Sequence, residues 1–233
     1  MLSMSMLGRV SIIVALLVAP FRADAKATAT PTLLELAVAK FRGKLTLAER
    51  ELFVAAERGD EVNLRPFSLA CNCSSVDDDP GLGVSWTGDR EIHASRIAWL
   101  CTDRLASRRV APYGIRISGA RVVEPLKLTY AYVPFPLYIE NSWLSDDVDI
   151  QNAKLRALSL EGSDVGGIAA DGARIEGPVW FDDGFRVEGE VSLIGATIGD
   201  SLVAEGGQFI NPGGRALAAD GIKVEQSVLR PSI

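Results

Sequence analysis

Residues 150–175 read Ile150-Gln-Asn-Ala-Lys-Leu155-Arg-Ala-Leu-Ser-Leu160-Glu-Gly-Ser-Asp-Val165-Gly-Gly-Ile-Ala-Ala170-Asp-Gly-Ala-Arg-Ile175, an apolar residue returning at every fifth position. The ladder extends in steps of five or six, upstream through Ile117, Val122, Leu128, Val133, Ile139 and Leu144. Downstream it runs through Phe181, Val187, Leu193, Ile198, Ala204, Ile210 and, after a break, Ala219 and Val224. This period suits neither a 3.6-residue helix nor a plain alternating strand. It describes a chain that turns a corner every five or six residues and stacks coil on coil.

Two residues before each ladder position lies a second apolar or small series that alternates in size: Ala120, Leu126, Ala131, Leu137, Ser142, Val148, Ala153, Leu158, Ser163, Ile168, Ala173 and Val179, resuming at Val191, Ala196 and Leu202. Gly119, Asn141, Asn152, Gly162, Gly172 and Gly195 immediately precede small members. Gly lacks Cβ and Asn can bond its own backbone, so both tolerate the positive φ of a tight corner. Two such units predict a coil of about 21 residues and roughly five coils in all. An antiparallel sandwich of short strands is the alternative, but it does not require phase to persist over a hundred residues.

Units such as Ala153-Lys-Leu155-Arg-Ala-Leu158-Ser-Leu160-Glu-Gly-Ser163 resemble pentapeptide-repeat proteins. The resemblance implies a mainly β fold: a right-handed, four-sided β-solenoid with the aliphatic and small residues inside. Phe185 and Gln208 in the small slot, and an insertion around Pro212-Gly213-Gly214, depart from the strict pattern. The stretch Asp171 to Gly206 also resembles bacterial repeat proteins sometimes labelled membrane-associated oxidoreductases. Gly81-Leu-Gly83 lacks Rossmann spacing, so no dinucleotide cofactor is expected.

The 233 residues divide into a signal peptide at 1–25, a helical cap region with a central loop at 26–113, and the solenoid at 114–233. Arg9, the apolar run Val10–Pro20 and Ala23-Asp-Ala25 form a secretory signal. They predict an exported, periplasmic or secreted protein; a true start near Leu33 would instead leave it cytoplasmic. Helices are expected within residues 31–60, including a capping box at Thr46-Leu-Ala-Glu49, and again from Arg90 to Arg104. Residues 60–90 read as loop.

Charge is balanced in residues 26–113, with 12 acidic and 12 basic side chains, whereas residues 114–233 carry 17 acidic against 10 basic. An acidic solenoid argues against binding nucleic acid, which requires Lys and Arg. By the family resemblance it could serve instead as an anionic DNA mimic, provided the chain stays in the cytoplasm.

Soft ligands comprise Cys71, Cys73, Cys101 and His93, and their spacing matches no zinc knuckle. In an exported chain Cys101 could pair with Cys71 or Cys73. His93 is read as a half-buried helix residue rather than a base, and Asp77-Asp78-Asp79 as a solvated loop. Carboxylates at Asp146, Asp147 and Asp149, or Asp182 and Asp183, are the only route to glycan-cleaving chemistry. Trp143 and Trp180 are the aromatics that would flank them. No catalytic, cofactor or metal residue is assigned. The expected role is a noncatalytic binding or scaffolding surface in the bacterial envelope, its partner a protein or glycan, with self-association through the C-terminal coil.

Overall fold

Asn141, Asn152, Gly162, Gly172 and Gly195 all take positive φ, between 47° and 65°, so the corners fall where the sequence put them. Each inward residue after Asn152, Gly162 and Gly172 closes a turn, as when the Ala153 N–H donates to Ile150 O at 3.0 Å. The computed structural model describes residues 30–65, 78–86 and 88–229. The expected signal peptide, Cys71 and Cys73 lie outside the described residues.

The strands between corners fall into four parallel sheets. Face A holds β1 (Val62–Asn63), β3 (Ile115–Ser118), β7 (Leu137–Glu140), β11 (Leu158–Ser159), β15 (Val179–Trp180), β19 (Leu202–Val203) and β23 (Val228–Leu229). Face B holds β2 (Glu91–His93), β4 (Arg121–Val123), β8 (Trp143–Leu144), β12 (Asp164–Val165), β16 (Arg186–Val187) and β20 (Gln208–Phe209). Face C holds β5 (Leu126–Lys127), β9 (Val148–Asp149), β13 (Ile168–Ala169), β17 (Val191–Ser192) and β21 (Leu217–Ala218). Face D holds β6 (Tyr132–Val133), β10 (Lys154–Leu155), β14 (Arg174–Ile175), β18 (Thr197–Ile198) and β22 (Lys223–Val224). The chain visits A, B, C and D in turn, which makes a parallel β-solenoid of about five coils.

Register explains why the ladder is visible in sequence. Leu158 pairs with Leu137 on one side and Val179 on the other, each 21 residues away, so like stacks on like. The ladder from Ile117 through Ala204 is buried throughout. Beyond Ala204 the phase slips by one: Phe209, not Ile210, pairs with Val187, and Gln208 points outward beside Arg186. Gly207 takes the small slot, its N–H donating to Ala204 O just as the Phe185 N–H donates to Asp182 O. Phe185 fits inside because Phe181 stacks on it at 4.9 Å and Phe209 lies 5.6 Å away.

Ser142 and Ser163 are wholly buried, which their hydroxyls make possible. The Ala120 N–H donates to Ser142 Oγ and the Ser142 N–H to Ser163 Oγ, both at 3.0 Å. The hydroxyls in turn donate to Glu140 O and Ile139 O. Two backbone donors at this corner thus bond to side chains of the next coil.

The head begins the stack instead of merely sitting on it. Helix α1 (Leu33–Lys40) and helix α2 (Leu47–Arg58) each start on a capping box, from Thr32 and Thr46. The expected central loop contributes β1 to face A, and the first residues of the expected third helix form β2 on face B. Helix α3 is therefore shorter, Ala94–Thr102, followed by α4 at Arg104–Ser107. α3 packs on β5 and β6, covering the two faces that β1 and β2 do not extend. The head is an incomplete preceding coil with a helix in place of two strands, and it covers sheet edges that would otherwise be open.

Glu49 joins these parts. Fully buried, it accepts from Thr46 N–H (3.0 Å) and His93 N–H (3.1 Å), with His93 Nδ1 at 2.8 Å and Arg96 Nε at 3.3 Å. His93 is thus committed to holding α2 against β2 and α3. Beside it Phe41, Phe53 and Trp99 pack with centroids 5.4–6.3 Å apart.

Replacing Ser163 with Ala should orphan the buried Ser142 N–H and cost about 1–3 kcal/mol. Arg174→Ser, an exposed change, should stay within about 0.5 kcal/mol. Urea denaturation of both variants checks this; equal stabilities would show that the serine column contributes nothing.

Candidate binding faces

Because coils stack in register, each outward position becomes a column with about 4.8 Å between members. Tyr138, Ser159 and Trp180 form one such column on face A. The Tyr138 and Trp180 rings lean together over Ser159, centroids 5.9 Å apart at 72°, and leave the serine 1% exposed. They make an aromatic shelf on a flat sheet.

The next outward column holds Glu140, Glu161, Asp182 and Glu205, with Asp183 beside it at the corner leading to face B. Among the described residues none of these five carboxylates makes an ion pair. Partial burial, then the charges of Glu140, Asp182 and Asp183, then a hydrogen bond with Asp183 push the Glu161 pKa up to about 7. Burial and the neighbouring Asp183 and Glu205 also raise Asp182. The shelf itself responds: burial first, then Glu140, raise the Tyr138 phenol.

Face D has the opposite character. Tyr132, Lys154, Arg174, Thr197 and Lys223 stack in one column. Lys154, Arg174 and Lys223 are exposed and, among the described residues, have no ion-pair partner. The adjoining column pairs Arg156 with Glu176 at 2.6 Å and then reaches Gly199. A Cβ on Gly199 would lie 2.4 Å from Glu176 O, so the coil approach excludes a side chain there.

Face B is occupied by the protein's own parts. A 3-10 segment, Pro80–Ser85, lies across face B with Gly83 on Trp143, where a Cβ would fall 2.0 Å from Trp143 Cβ. The Arg121 guanidinium lies over the same ring. Asp78, read from sequence as solvated, is buried and lies 3.6 Å from Arg90 and 3.8 Å from Arg65; Asp79 caps the 3-10 segment. On face C, Arg215 from the insertion pairs with Glu190 and Asp220.

The carboxylates singled out in the sequence do not converge across the molecule. Asp146 and Asp147 sit at the corner between faces B and C, and Asp182 and Asp183 at the corner between A and B. Asp149 accepts from Thr129 and from the Gln151 N–H. Asp182 and Asp183 beside Trp180 do belong to a cluster, but with Glu140, Glu161 and Tyr138, which were not picked out. Its signal was present as the 21-residue spacing of 140, 161 and 182, and of 138, 159 and 180. Cys101 is a free thiol buried in α3 rather than a disulfide half, and burial raises its pKa far above the usual thiol range. Among the described residues no group of three or more His, Cys, Asp or Glu could hold a metal, and no helix is long and apolar enough to cross a membrane.

No protein-family model matches the chain, and no curated protein or solved structure is significantly similar to it. The five-coil parallel solenoid is compatible with pentapeptide-repeat-like proteins in architecture.

Glu161 gives a pH signature. Its folded pKa, about 7, lies above the ordinary value of 4.5, so the folded state retains a proton that the unfolded chain has already lost. Stability should therefore fall as pH rises from about 4.5 through about 7. Melting temperature should be lower at pH 8 than at pH 5.5, and Glu161→Gln should remove part of that difference. An unchanged slope in the variant would show that Glu161 titrates normally.

Proposed function

We propose that this chain is a noncatalytic, pentapeptide-repeat-like scaffold of the bacterial envelope that binds through a flat sheet face, with face A as the recognition surface. The observation that carries this reading is the Tyr138–Trp180 shelf beside five carboxylates without ion pairs. Like charges in adjacent coils oppose folding, and a partner that neutralises them recovers that energy on binding. Parallel stacking fixes the spacing of these groups before any partner arrives, which limits the entropy lost on binding. Export through residues 1–25 is part of the proposal. The cationic column on face D gives no support to a uniformly anionic DNA mimic.

A second reading draws on the same place. A carboxyl group with its pKa pushed up to about 7, beside other carboxyl groups and aromatic rings, has the elements of glycoside cleavage, where an acid and a base are separated by environment. Face A, however, is a sheet surface and not a cleft that excludes water. A binding surface accounts for it with fewer assumptions.

Immobilised wild-type chain should retain a protein or glycan from its native source that Tyr138→Ala/Trp180→Ala does not. Equal retention by both would remove face A as the recognition surface. Release of reducing ends from a polysaccharide panel, abolished by Glu161→Gln, would establish the enzymatic reading instead.

A further inference from the structure

Faces A and D are adjacent sides of the same coil, and their unsatisfied columns have opposite sign and the same pitch. We propose that the occupant of face A is face D of a second copy of this chain, packed side by side with parallel axes. This rests on reading face A as a recognition surface and adds the identity of its partner.

Around any rod the outward columns follow one another in a fixed sense, and two parallel rods in contact present those columns in opposite senses. The second column of face A therefore meets the first column of face D. The first holds Glu140, Glu161, Asp182 and Glu205; the other holds Lys154, Arg174, Thr197 and Lys223. With coils level, Glu140 faces Lys154, Glu161 faces Arg174 and Glu205 faces Lys223, while Asp182 faces the Thr197 hydroxyl. The aromatic column meets the remaining column of face D at the same levels. Tyr138 lies opposite Arg156, a cation suited to an aromatic face, and Trp180 lies opposite Gly199, which presents backbone alone. The charged columns thus oppose one another in sign at three levels, while Ser159 lies level with Glu176 in the neighbouring column.

The contact is heterologous, because face A of one copy meets face D of the next. Since A and D are neighbouring sides of a four-sided coil, each added copy turns by about a quarter, and four copies close a ring. The corner between D and A would lie at its centre. That corner is formed of small residues and prolines at several levels: Pro136, Ala157, Gly177-Pro178 and Ser201.

The test is light scattering of the purified chain at low and high ionic strength, with two charge-reversal variants. Wild type should have the mass of four chains at low salt and dissociate as salt screens the columns. Lys154→Glu/Arg174→Glu should be monomeric because its two faces are now both acidic, and Glu140→Lys/Glu161→Lys because both are basic. Mixed in equal amounts, the two variants complement each other at every contact and should regain the tetramer. Circular dichroism confirms that each variant is folded. A monomeric wild type at all concentrations, a mass other than four, an assembly that survives either reversal, or a mixture that stays monomeric would overturn the proposal. End-to-end association through the last coil would survive both reversals. A monomeric wild type whose face A still retains an outside partner would refute self-assembly while leaving the recognition surface standing.

Discussion

The hydrogen bonds between coils, made in parallel and in register, are the constraint on which everything else depends. A two-residue strand has no stability of its own, yet each of these is held by backbone bonds from the coils on either side, such as Leu160 N–H to Trp180 O at 3.0 Å and Lys154 N–H to Ala131 O at 2.8 Å. Register forces inward residues to stack on inward residues, and so builds an interior of Leu, Ile, Val and Ala columns. The same register forces outward residues into columns, which is why charges and rings are ordered on the surface. Interior and surface follow from one rule.

That rule needs a starting template, which the head provides. β1 and β2 offer the first coil two ready edges, and α3 covers the other two faces. Glu49 keeps this template together by satisfying a helix cap and holding His93 and Arg96. A buried carboxylate with this many partners is costly to break, since removing one partner leaves charge without compensation. The head therefore serves both as lid and as the first rung.

The period carried the fold into the sequence because each coil repeats the same inward demands. Gly and Asn marked the corners, and the Thr46–Glu49 box marked α2, since each is a local device readable within a few residues. Where local and long-range demands diverged, legibility was lost. Glu91-Ile-His93 looks helical alone but is drawn into β2 by the open edge of β4. Gln208 looked like an inward residue until Phe209 claimed the place over Val187. The acidic column was hidden because its members lie 21 residues apart, and an acidic side chain every 21 residues looks like ordinary surface until stacking places it beside its neighbours.

Distances between spin labels on the outward column of face D test the parallel register most directly. With one label at position 154 and the other at 174, 197 or 223, the account predicts backbone separations that grow by about 4.8 Å per coil, giving near-equal steps of one, two and three coils. Unequal steps, or a label at 197 closer to 154 than the one at 174, would contradict the stacked solenoid and every column built upon it.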